Sequence, residues 1–118
     1  MIEIEWCKKK KSGEAAILKA VQKAAEKMGV HLYRNQVGTY KVEGRWISSG
    51  LCVGASDLIG YDSTGRFVAV ECKIPGKQAS DIQQKFIDRV LYAGGIARVV
   101  HSVDELIILV NNARKLQQ

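Results

Sequence analysis

The clearest pattern along the chain is a pair of short runs rich in β-branched and aromatic residues, one on each side of a turn. The runs lie within residues 54–61 and 67–73, and the tetrapeptide DSTG at 62–65 has the composition of a tight turn. We predict a β-hairpin with a three-residue loop ending at Gly65, because glycine accepts the left-handed backbone that such loops need. Every other residue of the second strand from Val68 onward is apolar and suits a core.

Three ionisable side chains meet in the register that this loop sets. Asp57 lies opposite Glu71, and the alternation of side chains along a strand puts Lys73 on the same face as Glu71. Facing carboxylates repel each other, so a hairpin that only had to be stable would avoid this pair. A divalent cation between them removes the repulsion, and the lysine can then meet an anionic substrate. The alternative is a solvated strand edge, since a Glu-x-Lys sequence in a strand is common by chance.

The spacing of apolar residues and the capping signals elsewhere predict three helices and three further strands. The predicted elements are helix 13–28 after the N-cap Ser12, strand 31–35, a short strand 45–49, the hairpin, helix 81–93 after the N-cap Ser80, strand 96–101, and a helix that opens at Ser102. The run 106–110 is apolar enough to form a strand instead. The core order α-β-β-β-α-β-α predicts one α/β domain over residues 1–118, with a central mixed sheet flanked by helices.

Two polar residues on the predicted helices have both a structural and a functional interpretation. Glu14 lies at the start of the apolar stripe of the first helix, where an acid suits the helix dipole. It is equally placed to point across the sheet toward the carboxylate pair. Gln83 completes the capping-box pattern that begins at Ser80, and it also lies near the helix face that turns toward the sheet. The pattern alone does not choose between these interpretations.

The charge balance points to a polyanionic partner. The chain has a net charge of +6 and a pI near 9.3, as nucleic-acid-binding domains often have. Three cysteines without CxxC spacing are typical of reduced thiols in the cytoplasm and exclude a disulfide framework. No apolar run approaches the length of about 20 residues that a membrane span needs.

Basic residues cluster in two parts of the sequence. Lys8–Lys11 end a basic N-terminal segment, residues 1–11, which is either a solvated tail or a phosphate-binding arm. Between residues 33 and 46, cations alternate with aromatic residues, a composition that grips phosphates and stacks on unpaired bases, although aromatics at this spacing also simply pack. The predicted DNA-binding residues are Arg34, Asn35, Lys41, Arg45 and Lys77.

An ordered set of motifs resembles the VRR-NUC domain nucleases, a branch of the PD-(D/E)XK, or restriction-endonuclease-like, superfamily. The resemblance runs from Glu14 to about Ser102. Its parts are Glu14 on the first helix, YRNQVG at 33–38, GASDLIG at 54–60, ECK at 71–73, QQKF at 83–86 and GGIA at 94–97. One Glu-x-Lys is weak, but the ordered set is much more specific. Ser56 precedes Asp57 where the superfamily's name has proline.

The resemblance implies a restriction-endonuclease-like core and a metal-dependent phosphodiesterase. Asp57 and Glu71 would bind Mg²⁺, for which Mn²⁺ can substitute, and the main-chain carbonyl of Cys72 would complete the ligand set. Lys73 would be the catalytic lysine, while Glu14 and Gln83 would support the site, with Glu14 as a further candidate metal ligand. Small members of this kind resemble Holliday-junction resolvases of phages and bacteria and tend to be homodimers. The expected location is therefore the cytoplasm of a bacterial or phage-infected cell.

We therefore expect a Mg²⁺-dependent DNA endonuclease that cuts branched DNA such as four-way junctions. Charge and fold suit equally well a DNA- or junction-binding module that does not cut. The acidic pair and lysine argue against that alternative, because a module that only binds gains nothing from carboxylates beside phosphate. A third alternative keeps the chemistry but takes flaps, nicks, single strands or RNA as substrate, and the sequence does not choose among these.

Overall fold

The computed structural model describes residues 5–6 and 12–116, so the predicted basic segment at Lys8–Lys11 lies outside the described residues. Seven strands and three helices occur in this part of the chain. They are β1 (Glu5–Trp6), α1 (Ser12–Lys27), β2 (His31–Arg34), β3 (Gly38–Val42), β4 (Arg45–Ser49), β5 (Leu58–Tyr61), β6 (Phe67–Cys72), α2 (Asp81–Tyr92), β7 (Ile96–Val100) and α3 (Val103–Lys115). None of the helices within these ranges is long and apolar enough to cross a membrane.

The predicted central mixed sheet is confirmed. Its strand order is β2-β5-β6-β7, with antiparallel pairing between the first three strands and parallel pairing between β6 and β7. Helices α1 and α3 cover one face over the main core, to which β6 contributes Val68, Val70 and Cys72. Helix α2 packs on β6 and β7 on the other face, around Ile87. The order α-β-β-β-α-β-α therefore describes the elements of this core.

The predicted hairpin register is also confirmed. Tyr61 pairs with Phe67 and Leu58 with Val70, and Gly65 adopts a left-handed φ of 83°. The Asp62 carboxylate accepts hydrogen bonds from the main-chain N–H groups of Thr64 and Arg66, which fixes the loop. Partial burial raises the pKa of Asp62, but these hydrogen bonds and those from the Thr64 and Arg66 side chains outweigh it, so the pKa is lowered.

The helices differ from the prediction in which side the core covers. The apolar spacing of α1 predicts a buried stripe of Ile17, Val21, Ala24 and Met28. The buried residues are Leu18, Val21 and Ala25, in line with Glu14, and the other three predicted residues are partly buried against the core.

On α2 the buried residue is Ile87, whereas Ile82 is 49% exposed. The apolar spacing of α2 likewise predicts an inner stripe of Ile82, Phe86, Val90 and Ala93. On both helices the buried side therefore lies about one residue beyond the predicted one, at Leu18 rather than Ile17 and at Ile87 rather than Phe86. Residues 106–110 form part of helix α3 and not a strand.

A second sheet was predicted only in part: the predicted strand 45–49 is present as β4, but its partners β1 and β3 were not predicted. It has the order β1-β3-β4, and β3 and β4 form an antiparallel hairpin whose two-residue turn is Glu43-Gly44, both at positive φ. Glu-Gly is a weaker signal for such a turn than Asn-Gly or Asp-Gly. No residue of β3 or β4 is buried, so the usual alternation of apolar and polar residues is absent.

Gly60 on β5 gives a test of the pairing between β2 and β5, because the main chain of β2 lies very close to it. A Cβ atom at this position would lie 1.7 Å from the His31 carbonyl oxygen, closer than atoms can approach. We expect Gly60→Ala to lower the free energy of unfolding by about 2–4 kcal/mol, since β2 must move away from β5. Urea denaturation measures this. Ser63→Ala in the exposed loop is the control, with a change below about 0.5 kcal/mol; an equally stable Gly60→Ala would contradict the pairing.

Candidate active site

A cleft of about 380 Å³ lies where β5 begins and β6 ends. Its lining is mainly polar and draws on α1, β2, β6, α2 and the loops beside them. The polar residues that line it are Glu14, Arg34, Asn35, Gln36, Asp57, Glu71, Lys73, Lys77, Gln78 and Gln83. The structure thus brings together the acidic, amide and lysine side chains that the sequence analysis selected from five separate segments. Gln36 and Gln78 were not predicted as site residues, although each directly follows a predicted residue, Asn35 or Lys77.

The two predicted metal-binding carboxylates are bonded crosswise, each to the main chain of the opposite side of the hairpin. The N–H of Asp57 donates to Glu71 Oε2 at 3.1 Å, and the N–H of Cys72 donates to Asp57 Oδ2 at 2.9 Å. Asp57 was predicted to lie within the first strand of the hairpin, but it lies one residue before β5. Its N–H is therefore available to a side chain. Glu71 is only 1% exposed. Both carboxylates are therefore held in place by the hairpin itself before any cation arrives.

Gln83 links this pair to helix α2. Its Nε2 donates to Glu71 Oε1 at 3.0 Å, while its Oε1 accepts the Ser80 main-chain N–H at 2.9 Å. The Ser80 hydroxyl in turn accepts the Gln83 N–H, which completes the capping box. Gln83 therefore forms the cap and also contacts the predicted site, while its role in function stays a prediction. Lys73 Nζ lies 3.8 Å from the same Glu71 oxygen, so a cation and an amide both face it.

Asn35 holds the segment that carries Asp57. Its N–H donates to the Asp57 carbonyl at 2.7 Å, its Nδ2 donates to the Ser56 carbonyl, and its Oδ1 accepts the Leu51 N–H. Asn35 thus fixes the main chain of Ser56 and Asp57, and its contact with DNA stays a prediction. Ser56 is 1% exposed, and its hydroxyl has no hydrogen-bond partner among the described residues. A residue without a polar side chain would therefore lose no bond at this position.

Glu14 enters the cleft from the first turn of α1 and is 8% exposed. Among the described residues, no three histidine, cysteine or acidic side chains are grouped so that they could hold a metal ion by themselves. A cation here would therefore rely on Asp57 and Glu71 together with main-chain oxygen, for which the Cys72 carbonyl is the predicted donor. A direct bond from Glu14 to a metal stays a prediction.

The predicted DNA-binding residues fall into two groups. Arg34 and Lys77 are exposed and line the cleft with Asn35. Lys41 and Arg45 lie instead on the second sheet, where Lys41 Nζ is 5.9 Å from the centre of the Trp46 ring. The alternation of cations and aromatics in the sequence thus corresponds to two separate surfaces, because β2 belongs to the central sheet and β3 and β4 do not.

Comparison with protein families decides the identity of the chain. The model of the VRR-NUC domain family matches residues 2–104, which is most of the sequence. The chain belongs to the VRR-NUC family. A solved structure of a VRR-NUC domain superposes on this one with a TM-score of 0.63 and 22% sequence identity, and the match covers 86% of this chain and 97% of the solved one. No curated protein matches the sequence.

These findings confirm the resemblance and the fold class predicted from the motifs. This VRR-NUC chain is a member of a nuclease family, and its central mixed sheet with flanking helices is the fold of the solved VRR-NUC domain. The matched range contains every residue that lines the cleft.

The bond between Gln83 and Glu71 can be tested by changing one atom of the amide. Gln83→Glu keeps the acceptor for the Ser80 N–H but replaces the donor to Glu71 with a second carboxylate oxygen. We expect the free energy of unfolding in EDTA to fall by about 1–3 kcal/mol, because a buried charge loses its partner and gains a like charge. Urea denaturation gives the value.

Gln84→Glu is the matched control, since it makes the same change on the exposed neighbouring position of α2. It removes only a bond to Asp88 and should cost less than about 0.5 kcal/mol. Equal stability of the two variants would mean that Gln83 contributes only the cap.

Proposed function

We propose that this VRR-NUC domain is a Mg²⁺-dependent endonuclease that hydrolyses phosphodiester bonds in DNA, with branched DNA such as four-way junctions as its substrate. The observation that supports this most strongly is the crosswise-bonded pair of Asp57 and Glu71 with Lys73 beside it. The basic side chains of Arg34 and Lys77 line the same cleft. Free thiols at Cys52 and Cys72 support the proposed location in the reducing cytoplasm.

The chemistry of the acidic pair suits magnesium. Mg²⁺ prefers oxygen ligands and keeps several waters, so two carboxylates and one carbonyl are enough protein ligands. A carboxylate oxygen that accepts one N–H still has a lone pair for a cation, and the crosswise bonds orient both groups without using all of their acceptor capacity. When bound, the cation supplies positive charge beside the phosphate and acidifies water. Mn²⁺ has similar preferences and should substitute.

The chain's own residues complete the proposed mechanism. Lys73 donates to the attacking water or to the phosphate oxygens on which negative charge grows, and its position beside Glu71 keeps it in the cleft. Gln83 keeps the Glu71 carboxylate from rotating, because its amide holds one oxygen in place. Arg34 and Lys77 bind flanking phosphates, while Lys41 and Arg45 extend the basic surface onto the second sheet. By resemblance the products carry 5′-phosphate and 3′-hydroxyl ends.

Removal of the acid or the lysine separates cleavage from binding. We expect Asp57→Asn and Lys73→Ala each to reduce cleavage of labelled DNA in Mg²⁺ by at least about 100-fold, and EDTA to abolish cleavage by the unaltered protein. DNA affinity without metal should be retained, and it should rise slightly in Asp57→Asn because a negative charge beside the phosphate is lost. Gel assays give cleavage and fluorescence anisotropy gives affinity.

Asp88→Asn and Lys85→Ala on the exposed face of α2 are the matched controls, since they change the same charges outside the cleft. Both should cleave normally. Metal-dependent cutting by Asp57→Asn at the normal rate would refute the assigned site. Tight binding without cutting by the unaltered protein, in Mg²⁺ and in Mn²⁺, would favour a module that binds junctions only.

The oligomeric state and the DNA structure belong to one prediction. A four-way junction needs two symmetric cuts, which a two-fold dimer supplies with two active sites. The apolar side of α3 is buried in the core, so it is not available for an interface. Strand β4 lies at the edge of its sheet in the described part of the chain, with Trp46 57% and Ile47 39% exposed, and we propose that β4 pairs with a second copy.

Light scattering at micromolar concentration should show a dimer, and Trp46→Arg should give a monomer because two like charges would meet at the two-fold axis. Tyr92→Arg on α2, where the ring is 96% exposed, is the control and should leave the dimer intact. The dimer should cut four-way junctions faster than flap, splayed-arm, nicked or linear DNA, and the monomer should lose this preference. A monomeric unaltered protein, or equal rates on all DNAs, would contradict the proposal.

A further inference from the structure

A short turn carries two lysines into the cleft. Lys73 follows β6 directly, and its N–H donates to the Val100 carbonyl at the end of β7 at 3.1 Å. The segment Ile74–Lys77 then closes a tight turn, in which the Lys77 N–H donates to the Ile74 carbonyl and Gly76 has a φ of 86°. Both lysines line the cleft. The turn is therefore anchored at its first end by the strand pairing of β7.

His101 anchors the other end of this turn. Its Nε2 lies 2.7 Å from the Lys77 carbonyl oxygen, and its Nδ1 lies 2.9 Å from Glu105 Oε2. Both ring nitrogens thus face acceptors, a carbonyl and a carboxylate. A neutral imidazole has one N–H and can donate to only one of them, whereas the imidazolium donates to both. The contacts therefore suit the protonated ring.

The charges around the ring favour the same state. The hydrogen bond to the Lys77 carbonyl and the pairing with Glu105 on α3 raise the pKa of His101 and outweigh burial and the charge of Arg98 on β7, which lower it. Burial raises the pKa of Glu105, but the hydrogen bonds from His101 outweigh it and the pKa is lowered, so Glu105 is charged when His101 is. The two hydrogen bonds of the His101 ring, to Lys77 and to Glu105, are here called the clamp. Both are present below about pH 6.5, and one N–H is lost as the pH rises through the raised pKa of His101.

We propose that His101 is a positioning residue, which in its protonated form fixes the turn Ile74–Lys77 and so holds the Lys77 ammonium in the cleft against a phosphate of the substrate. The residue does not touch the substrate itself, because its ring is occupied by Lys77 and Glu105. The choice of DNA as the ligand rests on the proposed nuclease function. The state of the clamp does not, since it follows from contacts within the chain.

The consequence is an affinity that depends on pH through Lys77. Below the raised pKa the turn is held at both ends, and Lys77 loses little freedom when it binds a phosphate. Above it the Lys77 carbonyl competes for a single N–H with Glu105, the turn loosens, and the lysine must be ordered on binding. We expect DNA to bind about three- to tenfold more weakly at pH 8.5 than at pH 6, measured by anisotropy in EDTA so that no cleavage occurs.

The first experiment needs neither DNA nor metal. The chain has two histidines, so an NMR titration reports both imidazoles separately, with exposed His31 on β2 as an internal control. The His101 ring should titrate above the ordinary value of about 6.5, and the Lys77 and Gln78 amide signals should move with the same midpoint. A His101 ring that titrates at or below the value of His31, or Lys77 and Gln78 signals that do not follow it, would overturn the inference whatever the enzyme does.

The second experiment is a double-mutant cycle on DNA binding. His101→Gln should weaken binding about three- to tenfold at pH 6 and remove the pH dependence, whereas His31→Gln should leave both unchanged. In a Lys77→Ala background, His101→Gln should have no further effect. An equal loss in both backgrounds would show that His101 does not act through Lys77.

The two proposals fail in distinguishable ways. If the unaltered protein neither binds nor cuts DNA while the NMR titration shows the coupled clamp, the nuclease proposal fails and only the choice of ligand falls with it. If the unaltered protein cuts DNA normally but binds DNA with the same affinity at pH 6 and pH 8.5, the positioning role of His101 fails and the nuclease proposal stands.

Discussion

The site depends on the reciprocal hydrogen bonds between two carboxylates and the main chain of the opposite strand. Asp57 and Glu71 would repel each other if they were held only by their own strands. Each instead accepts an N–H from the other side of the hairpin, at the start of β5 and the end of β6. These bonds form only in one register, since a shift of one strand by one residue would turn Asp57 to the face opposite Glu71. The register of one hairpin therefore decides whether a site exists.

The rest of the fold supports that arrangement from several directions. The loop at Asp62–Arg66 sets the register from the far end of the hairpin, and the N–H of Asn35 holds the Asp57 main chain from β2. The main core lies directly behind the site, because Val70 and Cys72 alternate with Glu71 on β6 and are fully buried. Burial leaves Glu71 with few ways to reorient, and water does not compete strongly for its hydrogen bonds.

The parts of this structure that follow local rules were predictable from the sequence. The hairpin register came from one glycine and a three-residue loop, and the Ser80 cap came from the spacing to Gln83. The buried side of α1 was not predictable in detail. Ala24 and Ala25 are adjacent and alike in sequence, so only the packing of α1 decides that Ala25 is the buried one. The second sheet gave only the signal of strand 45–49, since β3 and β4 bury nothing and their turn uses Glu43 at positive φ. The contacts of His101 join residues 24 positions apart, which no local pattern encodes.

Gln83 couples the formation of helix α2 to the arrangement of the Glu71 carboxylate. One side-chain amide closes the first turn of α2 and also steadies the buried carboxylate. The Glu71 carboxylate therefore gains this contact only when helix α2 has formed, and fraying of the first turn would release it while the sheet stays intact. In a nascent or partly unfolded chain, Glu71 would therefore lack its bond to the Gln83 amide even where the hairpin had already formed.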